Sequence, residues 1–262
     1  MFADPRRLIS ADLVLADLDG CLAVQNRPVP GAAELAGRLG RRLRLVSNNS
    51  TDVAEGLSGV LAAASLQIAA DRIHLAGETL LRSLARERPG ARVLLAAAGA
   101  VRELAVRLDL YSETEEVEIV ALCRDTCFGY ERLQAIAEAL TQGAELWVAN
   151  PDLTHPGSGG RPVPETGSLL AAVRAVAPDV APRIFGKPKP ELFRVALEAA
   201  GVRAEDAVML GDNPSTDIAG AEALGIPALL IGPHPDAVAP DLASLLALAL
   251  SPSGLEPEGV VA

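Results

Sequence analysis

Short apolar runs alternate with longer stretches of helical period along most of this chain. The first run, Leu13-Val14-Leu15-Ala16, is apolar on every position and ends at a polar turn, the pattern of a strand buried on both faces. Residues 30–39 read as a helix, with Pro28, Pro30 and Gly31 at the start and Gly40 at the end. A second strand is predicted at 42–46 and a helix at 52–64. Further strands are predicted at 72–75, 92–95, 117–122 and 145–148, with helices at 79–88, 101–108 and 130–141 between them. Residues 150–160 carry too much Pro and Gly for regular structure and read as a loop. A helix at 165–177, a short strand at 183–185 and an apolar strand at 207–210 complete the series. Strand and helix in strict alternation predict an α/β fold, a Rossmann-like doubly wound parallel sheet covered on both faces.

Composition narrows the picture. Half of the 262 residues are hydrophobic but only 3% are aromatic, so the core is expected to be built from Ala, Leu, Val and Ile. A net charge of -11 argues against nucleic acid or an anionic membrane as the main partner. A small anionic substrate is still open, because a local site binds it rather than the average field. Three cysteines, Cys21, Cys123 and Cys127, are too few for a disulfide framework and point to a reducing compartment. Cys123 and Cys127 read as ordinary thiols rather than a metal pair, since no histidine lies beside them. No signal peptide is apparent and charges interrupt every apolar run, so a cytoplasmic location is expected.

The candidate chemistry sits where strands end. The first strand runs into Asp17-Leu18-Asp19-Gly20, and strand alternation would place Asp17 and Asp19 on one side, with Gly20 permitting the turn. Two close carboxylates repel, and a cation beside them keeps both ionised. The second strand ends in Ser47-Asn48-Asn49, neutral groups able to donate to phosphoryl oxygens; equally, Ser50 or Thr51 caps the next helix and the asparagines make the turn. Gly186-Lys187-Pro188 lacks the glycine spacing and following Ser or Thr of a Walker loop. Gly211-Asp212-Asn213-Pro214-Ser215-Thr216-Asp217 delivers a further pair of acids, of which Asp217 suits a helix first turn. His155 stands in the 150–160 loop, where a histidine is either solvated or a donor to a ligand.

Taken jointly and in this order, the four strand ends resemble the haloacid dehalogenase superfamily of phosphohydrolases, and Ser47-Asn48-Asn49 is similar to the form found in its NagD, para-nitrophenyl phosphatase and pyridoxal phosphatase branch. The resemblance implies a catalytic core at 1–70 and 184–262 with an inserted α/β cap at 71–183 that selects substrate. Within the cap, 123–133 resembles a segment of that branch, and Asn150-x-Asp152 with His155-Pro156 resembles the loop whose histidine contacts substrate in pyridoxal phosphatases. By the same resemblance Asp17 is the nucleophile, Asp19 the acid and base, and Lys187, Ser47, Asn48 and Asn49 the phosphate cradle. Mg²⁺ would be held by Asp17, Asp212 and the backbone carbonyl of Asp19, with Asp217 and Asn213 behind them. The expected activity is Mg²⁺-dependent hydrolysis of a small phosphorylated metabolite through an aspartyl phosphate. Transfer to an alcohol, or binding without turnover, are the alternatives. Relatives often pair through their caps, which implies a homodimer. Two positions depart from the pattern: Cys21 replaces Val or Thr, and Ser215 replaces an acid. Substrates of relatives span pyridoxal phosphate, nucleoside monophosphates, phosphoglycolate and glycerol phosphate, and low aromatic content argues against stacking on a ring.

Overall fold

The computed structural model describes residues 3–110, 116–157 and 160–251. The chain opens with α1 (Arg7–Ser10), β1 (Leu13–Ala16), a small hairpin of β2 (Ala23–Val24) and β3 (Arg27–Pro28), α2 (Ala32–Leu39), β4 (Leu43–Ser47), α3 (Ala54–Ala63) and β5 (Ile73–Leu75). A second unit follows: α4 (Ala76–Glu87), β6 (Val93–Ala96), α5 (Gly99–Arg107), β7 (Ile119–Leu122), α6 (Tyr130–Thr141), β8 (Glu145–Val148), β9 (Thr154–Pro156), β10 (Pro162–Pro164), α7 (Thr166–Val176) and β11 (Arg183–Ile184). The chain then returns through α8 (Pro190–Ala200), β12 (Ala207–Gly211), a π-helical turn (Pro214–Ile218), α9 (Ala219–Glu222), β13 (Ala228–Leu230) and α10 (Leu242–Leu250).

The core sheet has five strands in the order β13-β12-β1-β4-β5, all parallel. Alternation along β1 explains its two faces. Val14 and Ala16 join a cluster with Leu35 of α2, Leu57 of α3 and Leu245 of α10. Leu13 and Leu15 join Leu192 and Phe193 of α8 and Ile218 on the opposite face. This is the doubly wound arrangement predicted from the alternation. The inserted unit is built the same way: a parallel sheet ordered β11-β8-β7-β6, with α4 and α5 on one face and α6 and α7 on the other. Few aromatics are available, but Trp147 and Phe185 meet at 5.2 Å in the cap cluster, and the Arg183 guanidinium lies 4.4 Å from the Trp147 ring centre.

Three sequence expectations need correction. The cap does not begin at 71: β5 pairs with β4, Leu45 opposite Ile73 and Ser47 opposite Leu75, so it is the edge of the core sheet. Nor does the core resume at 184, because Arg183 and Ile184 pair with Trp147 and Val148 of the cap sheet. An apolar strand declares its burial but not its partner, so both crossing points are misplaced by reading along the chain. The expected irregular loop 150–160 contains β9, which pairs antiparallel with β10, His155 opposite Val163. A two-stranded ribbon at an edge tolerates proline, which lacks only a donor that no third strand would use. Ser158 and Gly159 lie outside the described residues. No helix among the described residues is long and apolar enough to cross a membrane, and Cys21, Cys123 and Cys127 are all free thiols.

Candidate active site

β1 and β12 lie side by side at the centre of the core sheet, and from β1 the chain first builds outward through β4 and β5, later returning to add β12 and β13 on the other side. The carboxyl ends of those two strands therefore flank a switch point, where open α/β sheets leave a crevice. Asp17 follows β1, its amide donating to the Leu210 carbonyl at 2.9 Å, and Asp212 follows β12. Gly20 has φ +88, and a Cβ there would land on the Asp212 carboxylate, so conformation and space both require glycine. At Gly211 space alone requires glycine, since a Cβ there would land on the carboxyl group of Asp217. The Asn213 side chain accepts from Ser215 N at 2.9 Å, while the Asn213 backbone N–H donates to Asp217 Oδ2 at 3.1 Å. That cap starts the π-helical turn and folds Asp217 beneath the strand ends, where it is fully buried.

Lys187 enters from the other side. Its Nζ stands 2.5 Å from Asp17 Oδ1 and 2.7 Å from Asp217 Oδ1. Burial works against the ammonium, but the two carboxylates outweigh it and hold its pKa above the ordinary lysine value. Asp17 is pushed well upward by burial; Lys187 opposes that rise, and Asp217 and Asp212 add to it. Asp212 is raised to about 6, by burial first and then by Asp217. One oxygen from each of Asp17, Asp212 and Asp217 lies within 4.8 Å of the others, a donor set suited to a cation.

Asp19 is not the carboxylate that pairs with Asp17. β1 stops at Ala16 and the chain turns through Gly20, so strand alternation does not extend to Asp19. Asp19 is exposed at the mouth of that turn, and partial desolvation raises its pKa while His155 and Lys187 pull it down. The close acidic partners of Asp17 come instead from the far end of the sequence.

Ser47 is buried at the end of β4, its Oγ accepting from Asn49 N at 3.2 Å. The Asn48 side chain is engaged on both ends: Nδ2 donates to Asp152 Oδ2 at 2.9 Å and to Lys187 O at 3.0 Å, and Oδ1 accepts from Lys187 N at 2.7 Å. It orients Lys187 and ties the core to the cap. Asn49 makes the turn, accepting at Oδ1 from Thr51 N and Asp52 N, both at 2.9 Å. The seam continues through Asn150 Nδ2, which donates to Asn48 O at 2.7 Å, and through Ser50 Oγ and Thr166 Oγ1 at 2.9 Å. Gly167 lies so close to Pro151 and Asp152 that a Cβ would strike their carbonyls.

From the cap, His155 on β9 places Nδ1 2.6 Å from Glu165 Oε1, and Arg124 Nη1 lies 3.7 Å from that same oxygen. On the core side His234 donates from Nε2 to the Asp212 carbonyl at 2.9 Å. Thr166, Glu165 and His234 were not found from the sequence. Only His234 carries a local signal, a histidine amid Gly and Pro shortly after an apolar strand.

A family model described as haloacid dehalogenase-like hydrolase matches residues 14–110, and one described as HAD-hydrolase-like matches 184–234. The D-glycerol 3-phosphate phosphatase of Mycobacterium tuberculosis is 31% identical over 84% of this chain, which spans 62% of that relative's length. A solved p-nitrophenyl phosphatase from Archaeoglobus fulgidus superposes with a TM-score of 0.82 at 25% identity, covering 91% of this chain and 99% of the other. A solved glycerol phosphate phosphatase from Mycobacterium tuberculosis, in complex with magnesium, gives a TM-score of 0.76 at 28% identity, covering 88% of this chain and 70% of the other. With its four strand ends gathered at one switch point and a second α/β unit inserted between β5 and α8 of the core, the chain belongs to the haloacid dehalogenase superfamily of hydrolases, in the branch of NagD and the para-nitrophenyl phosphatases.

Proposed function

We propose that this protein is a Mg²⁺-dependent phosphatase that hydrolyses a small phosphomonoester through an aspartyl phosphate on Asp17. The observation that carries the reading is the buried Lys187 clamped between Asp17 and Asp217, with Asp212 beside them at the switch point. Three carboxylates held together in a buried site, two of them with raised pKa values, fit a hard divalent cation that would let them ionise. Asp17, Asp212 and the Asp19 backbone carbonyl would hold it, with Asp217 and Asn213 behind. When bound, the ion supplies neutralising charge to the phosphoryl oxygens.

The protein's own residues then divide the reaction. A carboxylate oxygen of Asp17 bonds to phosphorus as the ester P–O bond breaks, and Asp19 gives its proton to the leaving oxygen. Asp19 next takes a proton from water, whose oxygen attacks the aspartyl phosphate and releases phosphate, restoring Asp17. The raised pKa of Asp19 suits a group that must carry a proton in one step and accept one in the next. Lys187 offers fixed positive charge to the phosphoryl group and aligns Asp17. Ser47 and the backbone amides after it complete the cradle, while the Asn48 and Asn49 side chains act by holding Lys187 and the turn.

His155 contacts the substrate from the cap. The substrate is a small phosphorylated metabolite, with glycerol phosphate, dihydroxyacetone phosphate, nucleoside monophosphates, phosphoglycolate and pyridoxal phosphate the compounds to compare. A homodimer paired through the cap and a cytoplasmic location belong to the same reading. Phosphate release from that panel by the purified protein with Mg²⁺ tests it. Hydrolysis of one compound well above the rest is expected, and no turnover of any, or full activity in excess chelator, would reject it.

A further inference from the structure

Glu165 stands at the N-cap of α7, a position from which a carboxylate ordinarily serves its own helix. Here its Oε1 meets two side chains from separate elements: His155 Nδ1 at 2.6 Å, from β9, and Arg124 Nη1 at 3.7 Å, from just beyond β7. The backbone around it is tied down. Glu165 N donates to Leu153 O at 2.9 Å, Gly167 N to Asp152 O at 2.8 Å, and Ser168 Oγ to Leu153 O at 2.6 Å. Thr166, next in the chain, is fully buried against Ser50 of the core. The Glu165 side chain is only 15% exposed, so the carboxylate has little room to swing away from the imidazole.

Resting on the reading of His155 as the cap's substrate contact, we propose that Glu165 is a positioning residue that holds His155 by its Nδ1 proton and so presents Nε2 to the substrate, with Arg124 steadying Glu165. A carboxylate on one ring nitrogen selects the tautomer and ring orientation of a histidine, leaving the other nitrogen as the working atom. The His155 side chain is 39% exposed against 15% for Glu165, so the imidazole and not the carboxylate is the member of the pair open to a ligand. Neither Glu165 nor Arg124 touches the reacting atoms; both act through His155.

The test is a double-mutant cycle on the full chain with para-nitrophenyl phosphate and Mg²⁺. H155A and E165A should each raise KM about tenfold while kcat stays within about threefold, and H155A/E165A should be no worse than H155A alone. E165Q, whose amide oxygen still accepts from Nδ1, should recover most of the loss. ¹⁵N NMR should find the His155 proton on Nδ1 in the wild type and redistributed in E165A. Multiplicative losses in the double variant, or a wild-type ring protonated on Nε2 alone, would overturn the positioning role. Should E165A fail to fold, the wild-type tautomer and the E165Q KM decide between the same outcomes. An unchanged KM in H155A would reject the substrate contact itself, a result separable from failure of Glu165 to position it.

Discussion

At the scale of single residues, the two acids after β1 have different neighbours and should fail differently. Asp17 is buried against Lys187, and an amide cannot serve as nucleophile, so D17N is expected to abolish phosphate release from every ester. Asp19 is the proposed carrier of the proton transfers, so D19N should lose more activity on alkyl phosphates than on para-nitrophenyl phosphate, whose leaving group needs little protonation. Equal losses on both substrates would remove Asp19 from the acid role. His74, in edge strand β5, makes a separate prediction about stability. Burial, assisted by Arg44 3.2 Å away, holds its pKa down to about 4. The unfolded ring titrates near 6.5, so between about 6.5 and 4 the unfolded state binds the extra proton and stability falls as pH falls. H74Q should remove that dependence, narrowing the loss between pH 7 and 4 by about 3 kcal/mol in urea denaturation. Parallel pH profiles for wild type and H74Q would contradict it.

At the scale of elements, the decisive contact is the seam where α7 and the 150–152 segment of the cap meet the end of β4. It is polar and crowded: Asn48, Asn150, Asp152, Ser50 and Thr166 bond to one another across it, and Gly167 leaves no space beside the Pro151 and Asp152 carbonyls. G167A should therefore push α7 away from the segment that leads into β9. A loss of about 2 kcal/mol, the usual scale for overpacking, is expected, seen as a melting temperature several degrees lower. Because His155 and Glu165 sit on the two displaced pieces, KM should rise in the same variant. An unchanged melting temperature would show that the seam yields without cost.

For the whole molecule, the Mg²⁺ proposed for the three carboxylates gathered from both ends of the core would bind only the folded chain and so make stability depend on it. At a Mg²⁺ concentration one hundred times its dissociation constant, linkage contributes about 2.7 kcal/mol. For a chain of this size that corresponds to a rise of roughly 5–10 °C in melting temperature. EDTA should reverse the rise and abolish phosphate release together. A thermal shift without recovery of activity would separate the cation site from the reaction.

Much of this molecule was legible before folding. Runs such as Leu13–Ala16 and Ala207–Gly211 announce buried parallel strands because apolar residues on every position must be covered on both faces, and the acids, amides and lysine that close those strands stand out against them. Chemistry confined to a strand end and its turn is local, and local order is what a sequence states. Tertiary structure alone decided which ends meet. Asp17 finds its acidic partners in Asp212 and Asp217, near the far end of the core, rather than in Asp19, because a parallel sheet sets β1 beside β12 while the chain turns away after Ala16. It decided that β5 closes the core and β11 the cap, since hydrogen-bond register and not hydrophobicity chooses a strand's neighbour. It also turned Asn48 from a free donor into the tie between Lys187 and Asp152, and set Glu165 against His155. Those pairings depend on distances through space between groups whose order along the chain carries no trace of them.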